Sequence, residues 1–442
     1  MTQPLRILLV TNKCPPDFDG GYELRAFQLA QALRARGHAV DIVTSKYRDS
    51  FTGERSDPEW VHRIFRYVDV SRARGPWRKV DRVLKHLEST TVAAENVPAM
   101  ETFLRTHHDA HVSQKSATQH STLNTQPSPY DLAYCFGMLR ISFAVAASIQ
   151  RRDIPMLYHA GGTCVADHFF HWPEKYRGYA LAMRLFTRGW YEAEHGVDFR
   201  HVAYVSNFLR DREAERGHRP AFSYVISRGI DFPLGYDVER ERTQPPVFFM
   251  ACRVDPTKGI HHVIAAAGIL AQKRPELAWR LEIAGESLIP PYREQVDAQI
   301  RAAGLGERIA FLGRLGRAEV LDGMRRATAF IFASIYGEPF SSTIIESMAC
   351  GTPLLGSNDG SILEVVEPGV SALVHERNSP AELAANMERI LDDPALARRL
   401  AEAGLATIAQ RYTLDRILDL TEDTFRCVIA DRRAPVLSPA HA

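Results

Sequence analysis

Short continuous apolar runs alternate with amphipathic stretches along much of this chain. Residues 5–11, LRILLVT, have the pattern of a strand that is buried on both faces of a parallel sheet. The stretch LRAFQLAQALRARGH at 24–38 carries apolar residues at helical spacing and closes at Gly37, and residues 39–44 form a second apolar run. This order predicts a β–α–β unit whose crossover is right-handed.

The same alternation continues in two series that a polar, proline-rich stretch at 231–246 separates. The first series predicts further strands at 131–136, 154–159 and 202–205. The second series predicts a helix near 258–273 and strands at 247–252, 280–284, 309–312, 329–333 and 352–355. We therefore expect two doubly wound α/β domains with a cleft between them, and ligands of such sheets bind at the carboxyl ends of the strands.

The length of the chain supports this two-domain organisation, since 442 residues exceed what one hydrophobic core usually organises. We predict a first Rossmann-like domain over 1–235 and a second over 236–415. A C-terminal helix at 416–434 is expected to return to the first domain. Residues 106–130 are polar and poor in aliphatic side chains, which favours a mobile excursion.

Composition places the chain among soluble globular proteins, with 45% hydrophobic and 24% charged residues. A net charge of +1 gives no overall attraction to nucleic acid, so no such partner is expected. The six cysteines are scattered without a C-x-x-C pair, as in a reduced cytosolic protein. The N-terminal apolar run is too short for a signal peptide and no stretch is long enough to span a membrane, so we expect a cytoplasmic protein.

The segment YGEPFSSTIIESMACGTPLLG at 336–356 carries two glutamates eight positions apart, Glu338 and Glu346. Good N-cap residue types at 341–343 predict a helix that starts between the two carboxylates and ends near Gly351. The first-turn N–H groups of a helix have no intrahelical partner and attract anions. Such a site suits a phosphorylated sugar, because the amides hold phosphate while the carboxylates accept from vicinal hydroxyls.

A second segment, FFMACRVDPTKGI at 248–260, places Arg253 and Lys258 between a strand and the next helix. Two fixed cations at that position would neutralise a diphosphate and stabilise the charge that builds on it as it leaves. Arginine grips phosphate through two N–H groups, while lysine acts as a point charge.

The first series also carries candidate site residues. Gly20 and Gly21 follow the first strand, where glycines let the backbone approach a phosphate or a sugar. His159 stands at the carboxyl end of a predicted strand, before a glycine pair. The spacing of Cys164, His168 and His171 fits no standard zinc pattern, so no metal site is assigned. Neither a G-x-G-x-x-G after a strand nor a G-x-x-x-x-G-K-[ST] is present.

These segments together resemble the GT4 family of retaining glycosyltransferases, which have the GT-B fold. The two glutamates match the family's Glu-x7-Glu signature, and 253–259 is similar to its R-x-x-P-x-K-G segment. Further similar stretches are GGYELRAFQLAQALRARGHAVDIVT at 20–44, VSNFLRD at 205–211, IAGE at 283–286, FLGRL at 311–315 and NDGSILEVVEPGVSALV at 358–374. The resemblance covers nearly all of 240–415 but only pieces of the first half.

The resemblance implies a retaining transfer of a sugar from a nucleotide-diphosphate sugar, with UDP or GDP as the nucleotide, to an acceptor hydroxyl. It implies that Arg253 and Lys258 hold the diphosphate, that Glu346 accepts from the ribose and that Glu338 orients the sugar hydroxyls. His159 is implied near the donor sugar on the opposite wall, and neither a cofactor nor a catalytic metal is required. The full set implied to bind the donor is Gly20, Gly21, Arg253, Lys258, Gly285, Gly313, Glu338, Phe340, Ser341, Ser342, Thr343 and Glu346.

The chain departs from the family pattern at two places. VISRGID at 225–231 stands where the family often has a P-N-G-V/I-D segment. Ser361 and Leu363 replace a glycine and a proline. These departures weaken what can be inferred about sugar orientation, while the reaction class is unaffected.

Two other functions fit the same fold, a sugar-nucleotide epimerase and a catalytically inactive binding protein. Transfer of a sugar to an acceptor would separate the leading hypothesis from both. The acceptor itself, whether a glycan, a lipid-linked molecule or a small molecule, cannot be read from the sequence. Residues 62–86 hold eight Lys or Arg against two Asp with aromatic residues between them, a pattern that suits peripheral contact with an anionic membrane and equally a solvated surface.

Overall fold

The computed structural model describes residues 3–18, 21–69, 78–115, 128–162, 164–171, 178–235, 244–287 and 289–432. The chain divides into two compact units. The first unit holds Met1–Val205, Leu209–Ile226 and Leu418–Ala442, and the second holds Ser206–Phe208 and Ser227–Ile417.

The first unit is built on a seven-stranded parallel sheet. Its strands are β1 Arg6–Thr11, β2 Ala39–Ser45, β3 Val61–Phe65, β4 Leu132–Phe136, β5 Met156–Ala160, β6 His201–Tyr204 and β7 Phe222–Val225. They lie in the order β3-β2-β1-β4-β5-β6-β7. The central strands β4, β5 and β6 are buried along their whole length, as the apolar runs predict.

The described helices of the first unit connect and cover these strands. They are α1 Gly21–Ala35, α2 Arg78–Thr91, α3 Ala93–Lys115, α4 Ala144–Gln150, α5 Cys164–Ala166 with the π-helical turn Asp167–His171, α6 Tyr179–Phe186, α7 Trp190–His195 and α8 Asn207–Glu215. Helix α3 includes residues 106–115, so the expected excursion is wrong for that part. Residues 116–127, the other part of that expectation, lie outside the described residues.

The second unit is built on a six-stranded parallel sheet in the order β10-β9-β8-β11-β12-β13. Its strands are β8 Val247–Ala251, β9 Arg280–Ala284, β10 Ile309–Gly313, β11 Ala329–Phe332, β12 Leu354–Asn358 and β13 Leu373–Glu376. Neighbouring residues of β8 serve opposite faces of this sheet, since Phe248 and Phe249 belong to two different hydrophobic clusters. A continuous apolar run is therefore what this strand requires.

The described helices of the second unit follow these strands. They are α9 Ile260–Lys273, α10 Pro290–Ala302, α11 Arg317–Arg326, α12 Ser342–Ala349, α13 Ile362–Val365, α14 Pro380–Asp392 and α15 Pro394–Arg411, and the last helix, α16 Leu414–Arg432, begins in the second unit and continues in the first. Helix α12 ends as its sequence predicts, because Gly351 adopts a left-handed φ of 66° just after it.

Contacts at both ends of the second unit explain where it begins and ends along the chain. The backbone N–H of Ile230 donates to the carbonyl of Tyr412 at 2.7 Å, and Leu414 donates back to Ile230 at 3.0 Å. These bonds join residues 227–235 to the second unit. From Leu418 onward, α16 packs on the first unit, where Phe425 meets the Tyr134 ring edge-on at 5.0 Å.

Candidate functional site

The carboxyl end of β8 leads into a tight turn that positions Lys258. The side chain of Asp255 accepts a hydrogen bond from the N–H of Thr257 at 2.9 Å and so caps the 3₁₀ turn Pro256–Lys258. Gly259 follows with a φ of 67°, and a Cβ there would lie 2.0 Å from the carbonyl oxygen of Ala333. Only glycine fits this approach, which fixes the turn against the end of β11.

Lys258 and Glu338, which the sequence assigned to separate tasks, form an ion pair with each other through Nζ and Oε1. Burial is the largest influence on Lys258 and lowers the pKa of its ammonium group. The loop that carries Glu338 is fixed from the end of β12, since the N–H of Ser361 donates to the Glu338 carbonyl at 3.0 Å. The N–H of Gly337, on the same loop, donates to Oδ2 of Asp359, which also follows β12, at 2.5 Å.

A cavity of about 190 Å³ lies beside this pair and is lined in part by Arg253, Lys258, Ser341 and Thr343. Ser341 is the N-cap residue of α12, with an extended φ of −101°, but its hydroxyl contacts Thr343 Oγ1 at 3.0 Å and does not cap the helix. The cavity thus combines two cations with the start of a helix, an arrangement that suits a phosphate.

Ser342 and Phe340, two other predicted donor-binding residues of the 336–356 segment, have contacts of their own. The hydroxyl of Ser342 accepts from Arg228 at 2.7 Å. The ring of Phe340 packs near that of Tyr412, with centroids 6.0 Å apart. Arg253 is the most accessible of the predicted cations, with 69% of its side chain exposed and Asp255 at 3.5 Å.

Glu346 is buried, at 8% exposure, and two arginines approach it. Arg317 lies 3.5 Å and Arg228 4.0 Å from its Oε1 atom. Burial raises the pKa of the Glu346 carboxyl, while the two guanidinium groups oppose that rise. The charge of this carboxylate therefore depends on its arginine neighbours.

Gly285 follows β9 directly, Gly313 is the last residue of the neighbouring strand β10, and a hydrogen bond of 2.7 Å joins Gly285 N–H to the Gly313 carbonyl. A Cβ on Gly285 would lie 1.7 Å from the carbonyl oxygen of Cys252. Gly313 has a φ of 70° and open space around its Cβ position. Position 285 thus requires glycine because the backbone just after β8 lies too close for a side chain, whereas position 313 favours glycine because of its left-handed φ.

His159 lies in β5 of the first unit and is fully buried. Its Nδ1 atom is 2.6 Å from the hydroxyl of Tyr134, and its ring stacks on Phe136 at 4.6 Å. Burial, with a smaller contribution from Arg25, holds the pKa of His159 well below its usual range, so the ring is neutral. Contact between this side chain and a sugar would therefore require a neighbour to move.

Tyr22 is one of the neighbours of His159, and its hydroxyl donates to the backbone carbonyl oxygen of His159. Its ring fills a slot that two glycines create, since a Cβ on Gly137 or Gly161 would lie 2.9 Å or 2.2 Å from the Tyr22 ring. Gly21, the other part of the predicted glycine pair, is the first residue of α1, whereas Gly20 lies outside the described residues.

The histidine-rich stretch near α5 is part of a buried network. His168 Nε2 lies 2.9 Å from Glu194 Oε2, and Glu194 also accepts from the hydroxyls of Ser142 and Thr90. Across the described ranges of the chain, no group of three or more His, Cys, Asp or Glu is placed to hold a metal ion. In the same part of the chain, no helix is both long and apolar enough to cross a membrane.

The basic stretch at 62–86 is only partly described. Arg63 pairs with Asp57 at 2.9 Å, and Arg66 pairs with Glu88 and Glu95 at 3.2 and 2.6 Å. Residues 70–77, with Arg72 and Arg74, lie outside the described residues.

The sequence did not single out Arg228, Arg317 or Asp359. Arg228 lies in the 225–231 stretch that departs from the family pattern, and that departure was the one signal available. Arg317 and Asp359 reach the site through contacts with residues far away in the sequence. Arg317 pairs with Glu346, and Asp359 accepts from the N–H of Gly337.

Residues 236–407 match the family model described as glycosyl transferases group 1. The chain is 31% identical to the glycogen synthase of Mycobacterium tuberculosis over 212 residues. This aligned region covers 48% of this chain and 50% of that protein. It is 28% identical to the D-inositol 3-phosphate glycosyltransferase of Nocardiopsis dassonvillei, over 94% of this chain and 92% of that protein. The chain thus spans about half the length of the first curated relative that it matches.

Solved structures share the fold at lower sequence identity. A sucrose-phosphate synthase from Thermosynechococcus elongatus superposes with a TM-score of 0.66, 20% identity and coverage of 97% of this chain and 100% of that chain. The HepE protein of Anabaena, in complex with UDP, superposes with a TM-score of 0.63, 19% identity and coverage of 96% and 100%. The chain therefore has the GT-B fold, and its residues 236–407 match the glycosyl transferases group 1 family model.

Proposed function

We propose that this protein is a retaining glycosyltransferase that moves a sugar from a UDP- or GDP-sugar to an acceptor hydroxyl. The observation that carries the proposal is the cavity where Arg253, Lys258 and the start of α12 converge beside Glu338. A family match over the same residues supports it, as do relatives named as glycosyltransferases. The solved Anabaena protein, named in complex with UDP and with UDP-glucose, supports a uridine nucleotide.

In the proposed reaction the bond between the anomeric carbon and the phosphate oxygen breaks, and a bond to the acceptor oxygen forms on the same face of the sugar. The leaving phosphate takes the proton of the acceptor hydroxyl, so no dedicated carboxylate base is needed. Arg253, Lys258 and the first N–H groups of α12 stabilise the charge that develops on the diphosphate.

Each carboxylate has a separate task in this proposal. Glu338 accepts from the hydroxyls of the donor sugar, and Glu346 accepts from the nucleotide ribose. Glu338 is also the partner of Lys258, so a bound diphosphate competes with Glu338 for that ammonium group. His159, as a neutral hydrogen-bonding group, contacts the sugar or the acceptor in this proposal, and because its side chain is fully buried this contact requires a neighbouring side chain to move.

The proposal is metal-independent because the charge of the diphosphate is balanced by fixed protein groups. Two cations and a helix N-terminus meet at the cavity. Together they neutralise phosphate charge, which is what a divalent ion does in other phosphate sites. Activity is therefore expected to survive EDTA. Complete loss on chelation, with recovery on adding Mg²⁺ or Mn²⁺, would contradict this part of the proposal.

A donor screen tests the proposal. The protein is incubated with UDP-, GDP- and ADP-sugars in the presence of glycan, lipid-linked and small-molecule acceptors, and free nucleotide and glycosylated product are followed together. Nucleotide release coupled to product formation is the expected result. Inversion of a sugar centre without transfer would indicate the epimerase, and binding without turnover of any donor would indicate an inactive binding protein.

We also propose that the protein is cytoplasmic and contacts anionic membranes peripherally through 62–86. Because Arg63 and Arg66 are already paired, this proposal depends on the other basic residues of the stretch. Co-sedimentation with vesicles tests it, since each basic residue near a membrane adds on the order of 1 kcal/mol and salt screens the attraction. Equal pelleting with neutral and anionic vesicles, or none with either, would contradict it.

A further inference from the structure

Two arginines from distant parts of the second unit converge on the carboxylate of Glu346. Arg228 comes from the stretch that precedes β8, and Arg317 is the first residue of α11. Arg228 is held in place by its hydrogen bond to Ser342 Oγ at 2.7 Å. Arg317 is held by Asp231, with 3.0 Å between Arg317 Nη1 and Asp231 Oδ2.

Both guanidinium groups face the same oxygen of that carboxylate. Arg317 Nη2 lies 3.5 Å and Arg228 Nη2 lies 4.0 Å from Oε1 of Glu346. For each arginine the closest approach to the Glu346 carboxylate is to Oε1. The two protein cations therefore approach this buried carboxylate at the same oxygen.

We propose that Arg228 and Arg317 are positioning residues that hold Glu346 by Oε1 and present Oε2 to a hydroxyl of the donor's ribose. This inference rests on the proposed function, in which Glu346 contacts the ribose. It adds the two residues that orient the Glu346 carboxylate for that contact. A carboxylate with one oxygen anchored has a defined direction, so its hydrogen bond to a hydroxyl forms with little loss of side-chain freedom.

The charges around Glu346 also make ribose recognition sensitive to pH. The charged groups that face it are Arg228, Arg317 and Asp231, and burial raises its pKa while both arginines lower it. Both oxygens of an ionised carboxylate accept hydrogen bonds, whereas protonation converts one of them into a donor and reduces the acceptor capacity. Nucleotide binding should therefore weaken as pH falls through the raised pKa of Glu346.

Removal of one arginine should move this titration in a known direction. Without Arg228 the ionised form of Glu346 is less stabilised relative to the protonated form, so the pKa of Glu346 rises further. Nucleotide binding should then begin to weaken at a higher pH. Arg228→Asn introduces the residue type common at this position in the resembled family segment. Arg317→Gln removes the other cation, and Glu346→Gln removes the titrating group.

Calorimetric titration with UDP, run beside GDP and ADP, measures affinity from about pH 5 to about pH 8, a range that spans a raised carboxyl pKa. Arg228→Asn and Arg317→Gln should each weaken binding by about ten-fold, the size of one charge-assisted hydrogen bond. In both variants the weakening on acidification should start at a higher pH. Glu346→Gln should lose that pH dependence. The double variant Glu346→Gln with Arg228→Asn should bind the nucleotide only slightly more weakly than Glu346→Gln alone.

The matched control is Arg326→Gln, because Arg326 lies on the same helix as Arg317 and pairs with Asp322 instead of Glu346. A nucleotide without ribose hydroxyls, 2′,3′-dideoxyuridine diphosphate, gives a second readout. The unaltered protein should prefer UDP over it by about ten-fold, and the two arginine variants should lose most of that preference.

Unchanged affinity, pH profile and ribose preference in Arg228→Asn and Arg317→Gln would overturn the inference. If Arg228→Asn does not fold, Arg317→Gln and the ribose comparison decide it alone, since Arg317 is more exposed. Failure of the unaltered protein to bind any of the three nucleotides would instead contradict the proposed function.

Discussion

The ammonium group of Lys258 and the carboxylate of Glu338 pair directly, although 80 positions separate them in the chain. Lys258 is placed by the capped turn after β8, and Glu338 by a loop fixed from the end of β12. The two side chains meet because three parallel strands, β8, β11 and β12, end at one edge of the second sheet. This relationship links the proposed diphosphate cation to the proposed sugar-binding carboxylate.

Replacing Glu338 with Gln should separate nucleotide affinity from turnover. Because Glu338 competes with a diphosphate for Lys258, the variant should bind UDP at least as tightly as the unaltered protein. Turnover of the donor should fall by about ten-fold or more, since a charge-assisted hydrogen bond to the sugar is lost. Calorimetry with UDP and initial rates of nucleotide release measure the two quantities on the same preparation.

A loss of UDP affinity together with turnover would show that Glu338 serves the nucleotide and would contradict its assignment to the sugar. Glu319→Gln is the control, because Glu319 caps the start of α11 through the N–H of Gly316 and has no contact with Lys258.

Gly285→Ala should destabilise the second unit strongly. The new Cβ would lie 1.7 Å from the Cys252 carbonyl oxygen, and the φ of 148° is one that only glycine adopts readily. The backbone carbonyl cannot move aside as a flexible side chain does, so we expect about 3 kcal/mol of lost stability. Chemical denaturation, followed by tryptophan fluorescence, measures the change.

Gly306→Ala is the matched control, since nothing lies within 4 Å of its Cβ position and its φ is outside the left-handed range. Equal stability of the two variants would show that the close approach of β8 and β9 is not fixed as the structure has it.

His375, in β13, should make the protein sensitive to acid. Burial lowers the pKa of His375 to about 4 from an unfolded value of 6.5. The unfolded chain therefore binds more protons in this interval, and stability should fall as pH drops from 6.5 towards 4, by about 3 kcal/mol from this group. Above pH 6.5 the contribution is fully present.

Melting temperatures of the unaltered protein and of His375→Asn, recorded across that interval, measure this contribution. The unaltered protein should lose more stability on acidification than the variant. Parallel pH profiles would mean that His375 is protonated without cost in the folded state.

The strands that the sequence predicted are largely the inner strands of both sheets, and the ones it missed lie at their edges. β3, β7 and β13 each form the edge of a sheet and were not predicted. An edge strand has one neighbour and more solvent contact, so it carries polar residues, as in VHRIF of β3 and FSYV of β7. The continuous apolar pattern that identifies a buried parallel strand is weaker there.

The candidate site divides in a similar way. Residues that follow a strand end or start a helix, such as Lys258 and Ser341, were predictable because local pattern and position coincide. The pairing of Lys258 with Glu338 and the convergence of Arg228 on Glu346 were not, since both depend on the spatial order of strands. The hydrogen bond from Tyr22 to the backbone carbonyl of His159 likewise follows from the packing of α1 on the sheet.

The central claim is that nucleotide-sugar turnover depends on the cation at the end of β8. The most direct measurement is the rate of nucleotide release from the preferred donor by Lys258→Ala, compared with Lys273→Ala. Lys273 is an exposed lysine on the following helix that pairs with Glu388, so its removal should leave the rate unchanged. In Lys258→Ala we predict that kcat falls by about 100-fold or more, with a smaller change in KM, because the lost charge acts mainly on the transition state. Turnover equal to that of the unaltered protein, or a raised KM with unchanged kcat, would contradict the account.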